Sequence, residues 1–224
     1  MVRLHLAQNE EADELLSRNP FALLIGLVLD QQVTIEWAFS APLELSRRLG
    51  ADLDAGRLAA TDPDELASVF SQRPALHRYP GAMAKRVHEL SRLIVDEYAG
   101  RPQAIWETAS SGDELLARVR ALPGFGDQKA KIFVAFLGKQ MGVCPPGWAE
   151  ASVPFSDPGS HRSVADIVDD ASLRRVRDFK QQMKAAARAG KVDKAPRART
   201  PAAAKNTRSA KATKAVRPPA SASQ

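Results

Sequence analysis

The stretch Leu122-Pro123-Gly124-Phe125-Gly126-Asp127-Gln128-Lys129-Ala130-Lys131 decides how this chain is read. Just upstream, Ser111-Gly112-Asp113-Glu114 has the Ser-x-x-Glu spacing of a capping box, ahead of an apolar-periodic run from Leu115 to Leu122. Downstream, Ile132, Phe133, Phe136 and Leu137 recur at helical spacing until Gly142 stops the pattern. Two helices joined by a tight Pro-Gly-Phe-Gly turn are therefore predicted. Glycine reaches positive φ without steric cost, and its missing Cβ leaves room for another backbone. The amides of Phe125 to Asp127 are expected to stand unpaired at the start of the second helix, where the helix dipole favours an anion. Lys129 and Lys131 add positive charge just inside that helix. This describes a phosphate-holding hairpin; an ordinary helix pair with a glycine turn and no ligand is the alternative.

The same letters resemble the helix-hairpin-helix signature Leu-Pro-Gly-x-Gly of the HhH-GPD superfamily of base-excision DNA glycosylases. A second stretch, Asn19-Pro20-Phe21 through Leu29-Asp30-Gln31-Gln32-Val33, is similar to the first barrel helix of the alkylbase-glycosylase branch, which ends in a similar Gln-Gln-Val. The resemblance covers residues 15 to 142. It implies an all-α helical bundle or barrel with double-stranded, damaged DNA as partner. Gly124, Phe125, Gly126, Gln128, Lys129 and Lys131 would then hold the DNA backbone, with Gln31 and Gln32 near the lesion. The bifunctional lyases of the superfamily carry Lys at the position of Gln128. Lys129 lies about 100° further round the helix, so the resemblance implies no Schiff-base lyase step.

A glycosylase must extrude a base and stabilise an oxocarbenium-like sugar, and a carboxylate facing C1′ or activating water serves this. The place of the superfamily's catalytic Asp falls here on Pro146, within Cys144-Pro145-Pro146-Gly147-Trp148, and the usual Val-Asp-x-His neighbourhood is missing. With the loop read as an insertion, Asp157, ahead of His161-Arg162-Ser163-Val164, is the displaced catalytic candidate, followed by Glu150 and Asp166. Asp157-Pro158-Gly159 also reads as an ordinary turn, since Asp at a turn start bonds its own backbone. His77 and Tyr79 lie in a polar, proline-containing loop that could wedge or stack bases or merely anchor itself. Trp148 either lines a base pocket or packs onto the bundle.

Composition narrows the classes further. Cys144 is the single cysteine, which excludes an internal disulfide framework and the four-cysteine iron–sulfur cluster of several relatives of this fold. His5, His77, His88 and His161 have no metal-ligand spacing, so no zinc is expected. The resemblance is compatible with a monovalent cation at the hairpin, and no other cofactor is implied. The start of the chain has no signal-peptide core, and the longest apolar run, Phe21 to Leu29, falls far short of a membrane span. A monomer, soluble, cytoplasmic and nucleoid-associated, is expected.

Asn19 with Pro20 marks a helix start, as does Thr61-Asp62-Pro63. Helices are predicted over Glu10 to Leu16, Thr34 to Leu49, Met83 to Tyr98, Gln103 to Ala109 and Ala171 towards Arg188, with a loop from Val143 to Ser160. No stretch alternates with period two, so no sheet is expected. Residues 1–184 read as one helical domain containing the hairpin at about 113–141. Residues 185–224, rich in Lys, Arg, Ala and Pro, read as a disordered arm. That arm holds ten of the 32 Lys and Arg against one acid, Asp193, whereas the remaining 184 residues carry 22 basic and 25 acidic side chains. The pI of 9.7 belongs to the tail. Three functions fit: a monofunctional glycosylase, a non-catalytic reader of lesions or DNA structure on the same fold, and a nucleoid-coating protein driven by its tail. Under all three, deleting residues 185–224 removes phosphate-neutralising charge. Measured affinity should then fall less steeply with salt than for the full chain.

Overall fold

The computed structural model describes residues 3–192, and the basic segment from residue 193 onward lies outside them. The described residues form eleven α-helices and one 3₁₀ turn joined by turns and loops, with no strand among them. Local chemistry sets most of their ends. In α1 (Glu10–Arg18) the Asn9 side chain accepts the Ala12 amide, and in α2 (Pro20–Leu29) Asn19 accepts those of Phe21 and Ala22. Thr34 caps α3 (Ile35–Leu49), which closes on Gly50 at φ 61°, and Asp62 caps α5 (Pro63–Ser71). Between them lies α4 (Ala55–Ala60), capped by Asp54; it is too short to show a periodic pattern. Pro80 supplies the first turn of α6 (Pro80–Tyr98), so that helix begins ahead of the predicted Met83. α7 (Ala104–Glu107) is a single turn.

The first six helices gather around α2, whose residues from Phe21 to Leu29 are all buried. α3, α1 and α6 pack on α2, and α4 and α5 pack on α6. Arg48 locks this group. Its side chain is 7% exposed, and the guanidinium pairs with Glu44 and donates to the carbonyls of Val69 and Gln72 (both 3.0 Å) and Pro74 (2.7 Å). One side chain thus closes the last turn of α5 and the loop after it, where backbone acceptors would otherwise lack partners.

The second group is built on the hairpin of α8 (Gly112–Arg120) and α9 (Asp127–Met141), which ends at Gly142 with φ 69°. The capping box expected at Ser111 is only half formed. Ser111 Oγ accepts the Glu114 amide at 3.2 Å, but the Glu114 carboxylate turns to Ser110 and Arg118. The stretch expected as a loop, Val143 to Ser160, carries a further turn, α10 (Trp148–Ala151), and the 3₁₀ turn Val164–Asp166 follows it. It presses on the back of the hairpin. The Gly112 amide donates to Pro146 O at 2.7 Å, and a Cβ on Gly138 would come within 2.2 Å of the Trp148 ring. Trp148 therefore packs onto the bundle. Lys139 fastens the rest of the stretch, reaching Asp166 Oδ1 at 2.7 Å, Asp157 O at 3.0 Å and Ser160 Oγ at 3.2 Å. The last helix, α11 (Asp170–Val192), includes the first residues of the basic segment and buries Leu173 and Val176.

Replacing Arg48 by Ala strands three carbonyls and an acidic partner. The unfolding free energy in urea should fall by about 2–4 kcal/mol, and Lys, which lacks the planar fork, should restore only part of it.

Candidate nucleic-acid interface

The two helix groups meet where α2 ends and α9 begins. Gly124, at φ 86°, is the turn residue that needs glycine, and a Cβ there would lie 3.4 Å from Val28. Gly126 has an ordinary φ of −86° and open space around its missing Cβ. The amides of Gly126, Asp127 and Gln128 have no acceptor among the described residues, so the start of α9 presents bare donors with the dipole behind them. Phe125 corrects the sequence expectation. Its amide donates to Leu122 O at 3.0 Å, and its ring is buried, 6.0 Å from that of Phe133. Phe125 closes the turn and faces the core, away from any ligand at α9. Lys131 sits 3.7 Å from Asp127, which also pairs with Arg120.

Lys129 is the link between the groups. Its Nζ donates to Leu27 O at 2.6 Å and Val28 O at 3.2 Å, capping the last turn of α2. Burial pushes its ammonium down to about 8 from the ordinary 10.5; Asp30 opposes that shift and Arg86 adds to it.

The turn after α2 is held from several directions. The Asp30 amide donates to Gly26 O, and the Gln31 amide to Leu29 O. Gln31 Nε2 donates to Val28 O at 2.8 Å, while Gln31 Oε1 accepts from Arg86 at 3.1 Å. Buried His77 accepts the Tyr79 amide on Nδ1 (3.0 Å), so Nε2 carries the proton and donates to Gln31 O at 2.8 Å. His77 is thus a loop anchor, and Tyr79 stands exposed beside it with the Arg78 guanidinium 5.5 Å from its ring. Gln32 is exposed with φ 57°, a left-handed conformation that side chains other than glycine rarely adopt.

Between this turn and α9 opens a crevice of about 790 Å³, within the ~300–1,000 Å³ range of small-ligand sites. Leu27, Val33, Ile132 and Phe155 give it apolar walls, and Phe179, Lys180 and Met183 of α11 form its far side. The Arg162 guanidinium lies 5.4 Å from the Phe179 ring. Gln31, Gln32, Gly126, Gln128 and Lys129 all line the crevice; Gly124, Phe125 and Lys131 do not. Nor do the three carboxylates singled out in the sequence. Asp157 is engaged through its carbonyl with Lys139, and Glu150 is exposed on α10. Asp166 is bonded by Lys139, Ser160 and the amides of Arg162 and Ser163. Asp30 and Asp127 are the acids that do line it. Asp30 stood in the sequence beside the glutamines, but only the fold shows which way it matters. Phe155, Arg162, Phe179 and Lys180 carried no sequence signal for a site.

The sequence profile of the HhH-GPD superfamily base excision DNA repair proteins matches residues 25–199. The chain belongs to this superfamily. The match runs from α2 through the hairpin to α11, and membership carries DNA binding and a part in base excision repair. No curated protein matches the chain in sequence. In this HhH-GPD protein, both motif stretches border one crevice.

The depressed Lys129 gives a signed pH dependence. Between about pH 8 and 10.5 the unfolded chain holds the proton that the folded chain has lost, so Lys129's contribution to stability grows as pH rises through that window. Lys129→Met should remove this term, and the melting-temperature gap between wild type and variant should widen with pH there.

Proposed function

We propose that this HhH-GPD protein is a monofunctional DNA N-glycosylase that hydrolyses the bond between a damaged base and its sugar. The observation that carries the reading is the crevice shared by the bare amides of α9 and the Asp30–Gln32 turn. Amides at a helix N-terminus suit a phosphate of the strand, and an adjacent pocket with aromatic and apolar walls suits an extruded base. Hydrolysis is favoured over a Schiff-base lyase by two features. Gln128 stands where the lyases carry Lys, and the Lys129 amine is engaged by two main-chain carbonyls. A second reading, a non-catalytic reader of damaged or distorted DNA, is favoured by Pro146 at the usual place of the catalytic Asp, with Asp157, Glu150 and Asp166 outside the crevice.

Single-turnover assays on duplexes carrying alkylated, deaminated and oxidised bases separate the two. The expected result is release of one class of base, with the strand breaking at the resulting abasic site only after alkali. Strand breakage without alkali would overturn the monofunctional assignment. Tight binding to damaged duplexes without base release on any of them would favour the reader.

A further inference from the structure

We infer that Asp30 is the catalytic carboxylate of this crevice, facing the sugar C1′ in the role for which Pro146 offers no group. The assignment rests on the glycosylase reading. Two acids line the crevice, and Asp127 is committed to ion pairs with Arg120 and Lys131. The Asp30 carboxylate has no hydrogen-bond or ion-pair partner among the described residues, and the residue is half-buried in the wall of the crevice.

Its position is preorganised. The backbone around it is held by the bonds from Asp30 N to Gly26 O (2.9 Å) and Gln31 N to Leu29 O (2.7 Å), and His77 and Arg86 fix Gln31 from the opposite side. A backbone fixed before the reaction keeps the carboxylate's point of attachment in place as charge develops, which is where electrostatic catalysis gains most. The site is also an unfavourable one for an acid on structural grounds. Asp30 is the C-cap of α2, at the negative end of the helix, where a cation is the stabilising choice. Lys129 answers the helix carbonyls directly, with Nζ bonded to Leu27 and Val28, and makes no hydrogen bond or ion pair with the Asp30 carboxylate. The nearby Lys129 ammonium offsets part of that cost, and a positive charge developing on a substrate in the crevice would meet the same carboxylate.

The step balances as a hydrolysis. The C1′–N bond breaks with its electron pair passing to the base, while C1′ becomes cationic beside the Asp30 carboxylate. Water forms the new C1′–O bond, and its proton goes to Asp30 and from there to the departing base or to solvent. The products are the free base and an abasic sugar with a C1′ hydroxyl.

The test requires no knowledge of the lesion. Two duplexes are compared, one with a tetrahydrofuran abasic site and one with a 1-aza-deoxyribose, whose protonated ring nitrogen occupies the position of C1′. Wild type should bind the cationic analogue more tightly. Asp30→Asn should reduce that preference by about tenfold or more while binding the tetrahydrofuran duplex as wild type does, which also shows that the variant is folded. Asp30→Glu should keep most of the preference, and Asp157→Asn should keep all of it. An Asp30→Asn protein with the wild-type preference, or a wild type with no preference for the cation, overturns the assignment. A wild type that binds neither abasic duplex better than undamaged DNA overturns the glycosylase reading itself.

Discussion

The ammonium of Lys129 on the last carbonyls of α2 is the contact that the interface depends on. A helix C-terminus leaves four carbonyls without partners, and those of Leu27 and Val28 are met by a side chain about a hundred residues further along the chain. Because Lys129 lies in the first turn of α9, this contact fixes the hairpin relative to the core helix. It also sets the width of the crevice between them. Its energetic signature is the depressed ammonium: desolvation is accepted in exchange for two main-chain bonds and the nearby Asp30. The first turn of α9 is thus divided in labour. Its amides face outward without acceptors, and its lysine faces inward.

Around that seam, rigidity comes from polar side chains that satisfy backbone groups. Arg48 closes α5, His77 and Arg86 hold Gln31, and Lys139 with Asp166 fastens the chain between α9 and α11. Each is a long or heterocyclic side chain bridging elements distant in sequence. The Pro-Pro-Gly-Trp stretch has a related role. It fills the surface over Gly112 and Gly138, stiffening the hairpin from behind. Residues that look functional by type, such as Trp148, Asp166 and Phe125, are spent on holding the frame. Asp30 and Gln32, whose side chains have no partner among the described residues, line the crevice.

Much of the fold was legible because it is local. Asn19 and Asp62 accept the amides that an N-cap must, Gly50 and Gly142 adopt the left-handed conformation that ends a helix, and the all-apolar run of α2 became the central helix. α4 and α10 were not legible, since six and four residues are too few for a periodic pattern and their partners lie elsewhere in the chain. The start of α6 was placed late because the proline-containing stretch before Met83 read as loop, although Pro80 suits a first helical turn.

The sequence by itself determined the helices, the hairpin and the pairing of a glycine turn with an Asp-Gln-Gln helix end, because capping, φ preference and apolar periodicity act within a few residues. It also marked the departure at Pro146, which is a matter of residue identity alone. Only the tertiary structure decided which acid borders the crevice. Asp157, Glu150 and Asp166 are near in sequence to the superfamily's catalytic position, yet they sit outside the crevice or are bonded away from it. Asp30, far off in sequence, is brought to α9 by the Lys129 contact. The field at a point in space is set by whichever charges lie close to it, and distance in sequence does not fix that.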